Sequence, residues 1–127
     1  IRASFCSGVK VSVDASLVFV FKKFFTVKEL FRQGVWGCTG ARLFVAISPE
    51  GDVYPCSHYR VSDYNVSSAS LKEVWFKSRV LNVFRRTEDL IKGKCCECGM
   101  LTVCKGCRAI SLYERGDLME SDPHCPW

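Results

Sequence analysis

From Val9 to Phe21 the chain reads VKVSVDASLVFVF, alternating at first and then running apolar, the pattern of a strand buried on one or both faces. TVKELFRQG, residues 26–34, predicts a short helix closed by Gly34. ARLFVAI, residues 41–47, predicts a strand; SPEG supplies Pro49 and Gly51 for a tight turn, and DVYPC returns as the second strand. The clearest helix is SASLKEVWFKSRVLNVFRR, residues 68–86. Ser70 is a good N-cap and Glu73 completes a capping box, while Leu71, Val74, Trp75, Leu81 and Phe84 make one apolar face. Beyond Lys92 no periodicity is sustained until CRAISLYERG, residues 107–116. Together these elements predict an α+β fold: a short β-hairpin, a capped helix and a cysteine-rich loop, preceded by a strand and a helix.

Composition narrows the class. At 127 residues the chain is long enough for one modest core. Eighteen basic and thirteen acidic residues leave a net charge of +5, but the lysines and arginines are scattered, which suits a solvated surface better than a nucleic-acid groove. The most apolar early run, SLVFVFKKFF, is broken by Lys22 and Lys23 and falls far short of the roughly 20 residues that span a bilayer. It also lacks the basic region and cleavage site of a secretory signal, so no membrane partner is expected. The first residue is Ile1, which points to the C-terminal part of a longer protein.

Nine cysteines then dominate the chemistry. A disulfide scaffold is one reading of that density. The odd count, the adjacent Cys95 and Cys96 and an adequate helical core favour metal or cluster ligation in a reducing cytoplasm instead. From Cys95 the spacing is C-x2-C-x5-C-x2-C, and Cys125 follows after 17 further residues. Zinc ribbons separate their two C-x2-C knuckles by about 15 to 20 residues, so the five between Cys98 and Cys104 are tight for that ion. A cubane is wider and takes thiolates from one compact loop plus a distant residue. The spacing leans towards iron–sulfur, and zinc stays open.

The segments ISPEGDVYPC, SLKEVW and GKCCECGMLTVCKGCRAISLYERGDLMESDPHCPW together resemble the C-terminal SPASM domain of radical S-adenosylmethionine enzymes. The likeness is to the branch with alternative-haem and haem-d biosynthesis enzymes and mycofactocin-type maturases. It covers residues 37–127, and residues 1–36 match loosely as the last strand and helix of a preceding α/β barrel. The resemblance implies two auxiliary 4Fe–4S clusters. Cys95, Cys98, Cys104 and Cys125 match the ligands of the more C-terminal loop cluster. Cys38, Cys56 and Cys107 match the hairpin cluster, whose fourth iron corner is left open or filled by a non-cysteine ligand or a substrate. In the family the clusters pass electrons or anchor substrate.

Several positions depart from the family pattern. Lys105-Gly106 replaces a usual Gly-Gly, and Cys96 stands where glycine is common, so it reads as a bystander thiol. Cys6 has no counterpart and is expected to be a buried or free thiol. His58 and His124 read as surface or neighbouring donors, and Lys105 and Arg108 place positive charge beside Cys107. No C-x3-C-x2-C motif occurs, so the chain alone is not expected to cleave S-adenosylmethionine. That chemistry, and a tetrapyrrole or peptide substrate, would belong to the intact enzyme with its N-terminal radical-SAM barrel. The alternative is a structural zinc-binding interaction domain without a redox role.

Overall fold

In the computed structural model the described residues are the backbone of Ala3–Ser4 and Lys10–Val11, and residues 13–127 in full. Ala3–Ser4 (β1) pairs antiparallel with Lys10–Val11 (β2), Ala3 opposite Val11. Cys6 lies outside the described residues, as do Val9 and Ser12 of the predicted first strand. The chain divides into two compact units: Ile1–Cys38 with Ile91–Trp127, and Thr39–Leu90.

In the first unit, the strand predicted to run on to Phe21 is replaced from Ala15 to Lys23 by a 3-10 helix. Asp14 caps it, accepting the Ser16 amide at 2.8 Å. The burial pattern gives the physical reason. Adjacent Val18 and Phe19 point inward while Leu17 and Val20 on either side are 44% and 39% exposed, which a turn of helix allows and a strand of period two does not. Val27–Arg32 (α1) follows as predicted. Thr26 accepts the Glu29 amide at 3.3 Å and Glu29 returns to the Thr26 amide at 2.8 Å, a full capping box. Val18, Phe19, Leu30, Val35, Met100, Val103 and Cys104 form the buried core, with Phe21, Phe25 and Val27 packed on it. Each large apolar side chain buried there stabilises the unit by about 1.5–3 kcal/mol.

In the second unit the predicted hairpin forms, shorter than expected: Ala46–Ile47 (β3) pairs with Val53–Tyr54 (β4). Its turn closes through Gly51, at φ +92, whose amide reaches the Ser48 carbonyl at 2.9 Å. The first predicted strand is cut short because Ala41 takes φ +60 and turns its amide to Phe44 and Pro55 carbonyls. The long helix expected over residues 68–86 is two helices, Leu71–Lys77 (α2) and Arg79–Arg85 (α3). Ser78 breaks it: its hydroxyl donates to Asp63 Oδ1 at 2.5 Å and accepts the Leu81 amide, while Asp63 Oδ2 takes the Arg79 amide at 2.7 Å. Ser70 caps α2 as predicted, but the Glu73 carboxylate accepts Lys77 Nζ at 2.7 Å, so the reciprocal half of the box is not made. Val74, Leu81 and Phe84 are buried, whereas Leu71 is 47% exposed. Thr87–Leu90 (α4) ends the unit. Among the described residues no helix is long and apolar enough to cross a membrane.

Candidate metal centre

The first unit brings four of the seven candidate thiols onto one cavity. Cys95, Cys98, Cys104 and Cys125 line it together with apolar Phe19, Met100, Leu101 and Trp127. Lys22, Lys105, Gly106 and Asp122 complete its wall. Cys38 and Cys107 belong to the same unit, while Cys56 follows β4 in the other.

Each thiol is placed by backbone contacts. Cys95 ends a short 3-10 turn, Gly93–Cys95, and its amide donates to Ser121 Oγ at 3.1 Å. Gly93 takes φ +61, and a Cβ there would stand 2.6 Å from Ser121 Oγ. The Cys98 amide closes a turn onto the Cys95 carbonyl at 3.2 Å, and the Cys104 amide one onto Met100 at 2.8 Å. The segment before Cys38 seals the back of the loop: the Gly37 amide donates to the Val103 carbonyl at 2.6 Å, and the Cys38 amide to Cys104 at 3.4 Å. Cys125 arrives on the last segment, its amide donating to the Asp122 carbonyl at 3.2 Å.

Asp122 is the brace that the sequence did not reveal as such. It is 1% exposed; Oδ2 accepts the Cys107 amide at 2.7 Å and Oδ1 the His124 amide at 2.9 Å. One carboxylate thus ties the end of the cysteine loop to the segment that delivers Cys125. Its place in Asp-Pro-His-Cys-Pro is the only sequence signal that marks it. Trp127, also unremarked in sequence, covers the cavity with its indole Nε1–H donating to the Phe19 carbonyl at 3.2 Å, and Lys23 Nζ lies 4.7 Å from the ring centre. Both histidines are exposed: His124 Nε2 lies 2.8 Å from Glu114 Oε1, and His58 sits in the second unit. Cys96 is exposed and points to the Gly93 carbonyl.

Four thiols around one apolar cavity are a donor set of the kind that holds an iron–sulfur cluster. Among the described residues no three His, Cys, Asp or Glu side chains stand where they could hold a metal ion. Zinc–thiolate bonds of about 2.3 Å would require sulfurs within about 4 Å of one another. Thiols spread around an apolar cavity suit a cluster whose irons sit at separate corners. Cys95, Cys98, Cys104 and Cys125 are all free thiols. Burial pushes the Cys104 thiol up to about 11, the Gly106 amide opposes that, and the charges of Cys125, Cys95 and Cys98 add to it. Four thiolates on one cavity repel, and a cationic core bound there would compensate them and displace their protons.

Arg108, the first residue of Arg108–Arg115 (α5), is also buried, at 1% exposure. Burial lowers its pKa, opposed by the nearby charges of Cys95, Asp122, Cys38 and Cys107.

Comparison with known proteins bears on this site directly. The SPASM family, described as an iron–sulfur cluster-binding domain, matches residues 38–108, more than half of the chain. The AdoMet-dependent heme synthase of Methanosarcina barkeri is 37% identical over 89 residues, covering 70% of this chain and 25% of that protein. The heme synthase of Nitratidesulfovibrio vulgaris is 37% identical over 91 residues, covering 72% of this chain and 24% of its own. The PqqA peptide cyclase of Methylocella silvestris is 34% identical over 95 residues, covering 69% and 25%. The chain spans about a quarter of the length of these curated relatives.

Proposed function

Because the chain belongs to the SPASM family of iron–sulfur cluster-binding domains, we propose that it carries two 4Fe–4S clusters as the C-terminal part of a radical S-adenosylmethionine enzyme. Cys95, Cys98, Cys104 and Cys125 ligate one cluster in their common cavity. Cys38, Cys56 and Cys107 hold the other, with a fourth position left to a non-cysteine group or to substrate. The observation that carries the reading is the sharing of one apolar cavity by four thiols that come from 31 positions of sequence.

A cluster so bound supplies one-electron transfer. The residues around it do the rest. Phe19, Met100, Leu101 and Trp127 keep water from the sulfurs, and Asp122 fixes the spacing between the loop and the Cys125 segment. Lys105 brings a positive charge into the wall. Residues 1–36 are the C-terminal end of a preceding radical-SAM barrel or a linker, and residues 37–127 the auxiliary domain. In the intact enzyme S-adenosylmethionine would be cleaved on that barrel, in the cytoplasm, and the relatives' names favour a tetrapyrrole or peptide substrate.

Anaerobic reconstitution tests this. About eight iron and eight sulfide per chain, with a broad absorbance near 400 nm, are expected for two cubanes. Tightly bound zinc without sulfide would establish the structural zinc domain instead.

A further inference from the structure

Arg108 is the largest side chain among those fully buried. A guanidinium carries five N–H donors in a rigid fork and stays charged at neutral pH. Nη1 donates to the Leu118 carbonyl at 3.0 Å and to the Glu120 carbonyl at 2.7 Å, which fixes the fork. Nε and Nη2 are buried and have no hydrogen-bond partner among the described residues. A buried charge with three of its five donors unmet is costly and calls for a partner.

Its position says which partner. Arg108 follows Cys107 directly, and Nη2 lies 2.7 Å from where a Cβ on Gly106 would stand, with Asp122 Cβ at 2.8 Å from the same point. Gly106 and Asp122 both line the four-thiol cavity. The fork is therefore packed behind the cavity wall, and its residue directly follows Cys107 of the other thiol set. The charges of Cys95, from the cavity set, and of Cys38 and Cys107, from the other set, all act on it.

We propose that Arg108 is a positioning charge common to both sulfur sites, its Nε–H and Nη2–H donating to sulfur of the bound clusters and raising the reduction potential of each. This rests on the cluster reading above. Adding one electron makes a cluster more negative by one charge, so a fixed cation and sulfur-directed donors favour the reduced form. No proton moves in that step. The opposite charge of Asp122 is engaged by two backbone amides and holds the wall rather than the fork's free donors.

The test uses the full-length protein, reconstituted anaerobically, with each cluster's midpoint followed by EPR-monitored redox titration. Arg108→Met should lower the electron affinity of both clusters at least tenfold, about 59 mV for a one-electron couple. Arg108→Lys, which keeps the charge, should recover most of that shift. Unchanged midpoints in Arg108→Met at full iron and sulfide content would overturn the proposal, as would a shift confined to one cluster. Should Arg108→Met fail to fold, wild-type protein labelled with ¹⁵N-arginine decides. Pulsed EPR should detect a guanidinium ¹⁵N coupling at both reduced clusters, and its absence would overturn the proposal. Wild-type protein that takes up no sulfide is a different result, the failure of the cluster reading itself.

Discussion

Replacing Asp122 by Ala removes a carboxylate that joins the end of the cysteine loop to the Cys125 segment. Two amides, those of half-buried Cys107 and of His124, lose their acceptor, at 2.7 and 2.9 Å in the native protein. Hydrogen bonds to a charged group contribute about 1.5–3 kcal/mol each, so about 3–6 kcal/mol should be lost. Against a total stability of about 5–15 kcal/mol that is a large fraction, and it corresponds to a fall in Tm of roughly 10–20 °C. Asp122→Asn keeps the shape and one acceptor, and should lose about half as much. The assay is anaerobic thermal and urea unfolding of the cluster-free protein, with iron and sulfide counted after reconstitution. The cavity cluster should be lost first, because the Cys125 amide is held by the Asp122 backbone within the same turn. An Asp122→Ala protein within about 0.5 kcal/mol of wild type, the range of an ordinary surface change, would refute the assignment of Asp122 as a brace.

Three further outcomes follow from the geometry. In Gly37→Ala the new Cβ would lie 2.0 Å from the Cys104 carbonyl oxygen, so the segment must retreat by about 1.4 Å to reach a contact of roughly 3.4 Å. Losing both backbone bonds to residues 103 and 104 should cost about 1–3 kcal/mol and cluster occupancy with it, read by urea unfolding and iron content. Lys105→Gly relieves a side chain held at φ +61 and loses its Nζ bond to the Thr102 carbonyl, two effects of about 1 kcal/mol that oppose each other. Its Tm should move by only a few degrees; a loss above about 3 kcal/mol would contradict that balance. The Glu29 carboxylate is held below its ordinary pKa, first by the Thr26 amide and then by the Thr26 hydroxyl. Its stabilisation of α1 is therefore complete above the unfolded carboxylate range and is lost as pH falls through the depressed folded value. Amide exchange in α1 should rise on acidification, and Glu29→Gln should abolish that pH dependence.

Local signals carried the fold where local bonds decide it. Thr26 to Arg32 and Ser70 to Lys77 form helices because their caps lie within three residues, and Gly51 turns the hairpin. The signal failed where a distant group intervened. Ser78 breaks a continuous helical pattern because Asp63, 15 residues earlier, takes both its hydroxyl and the next amide. The apolar run from Ala15 to Lys23 reads as a strand until the adjacent burial of Val18 and Phe19 in the core is seen. At the site, spacing favoured a wide group, and the resemblance named Cys125 as the distant partner; the structure places that thiol on the same cavity. The aromatic cover of Phe19 and Trp127 joins positions 108 residues apart. Arg108 reads as a charge beside Cys107 until its burial is known.

The central claim is that Cys95, Cys98, Cys104 and Cys125 hold one cluster. Single Cys→Ala variants, reconstituted anaerobically and counted for iron and sulfide, test it most directly. Each of the four should lower iron from roughly eight to roughly four per chain and erase the same EPR signal, while Cys96→Ala keeps both clusters. Retention of all eight irons in Cys125→Ala, or loss of a cluster in Cys96→Ala, would contradict the account.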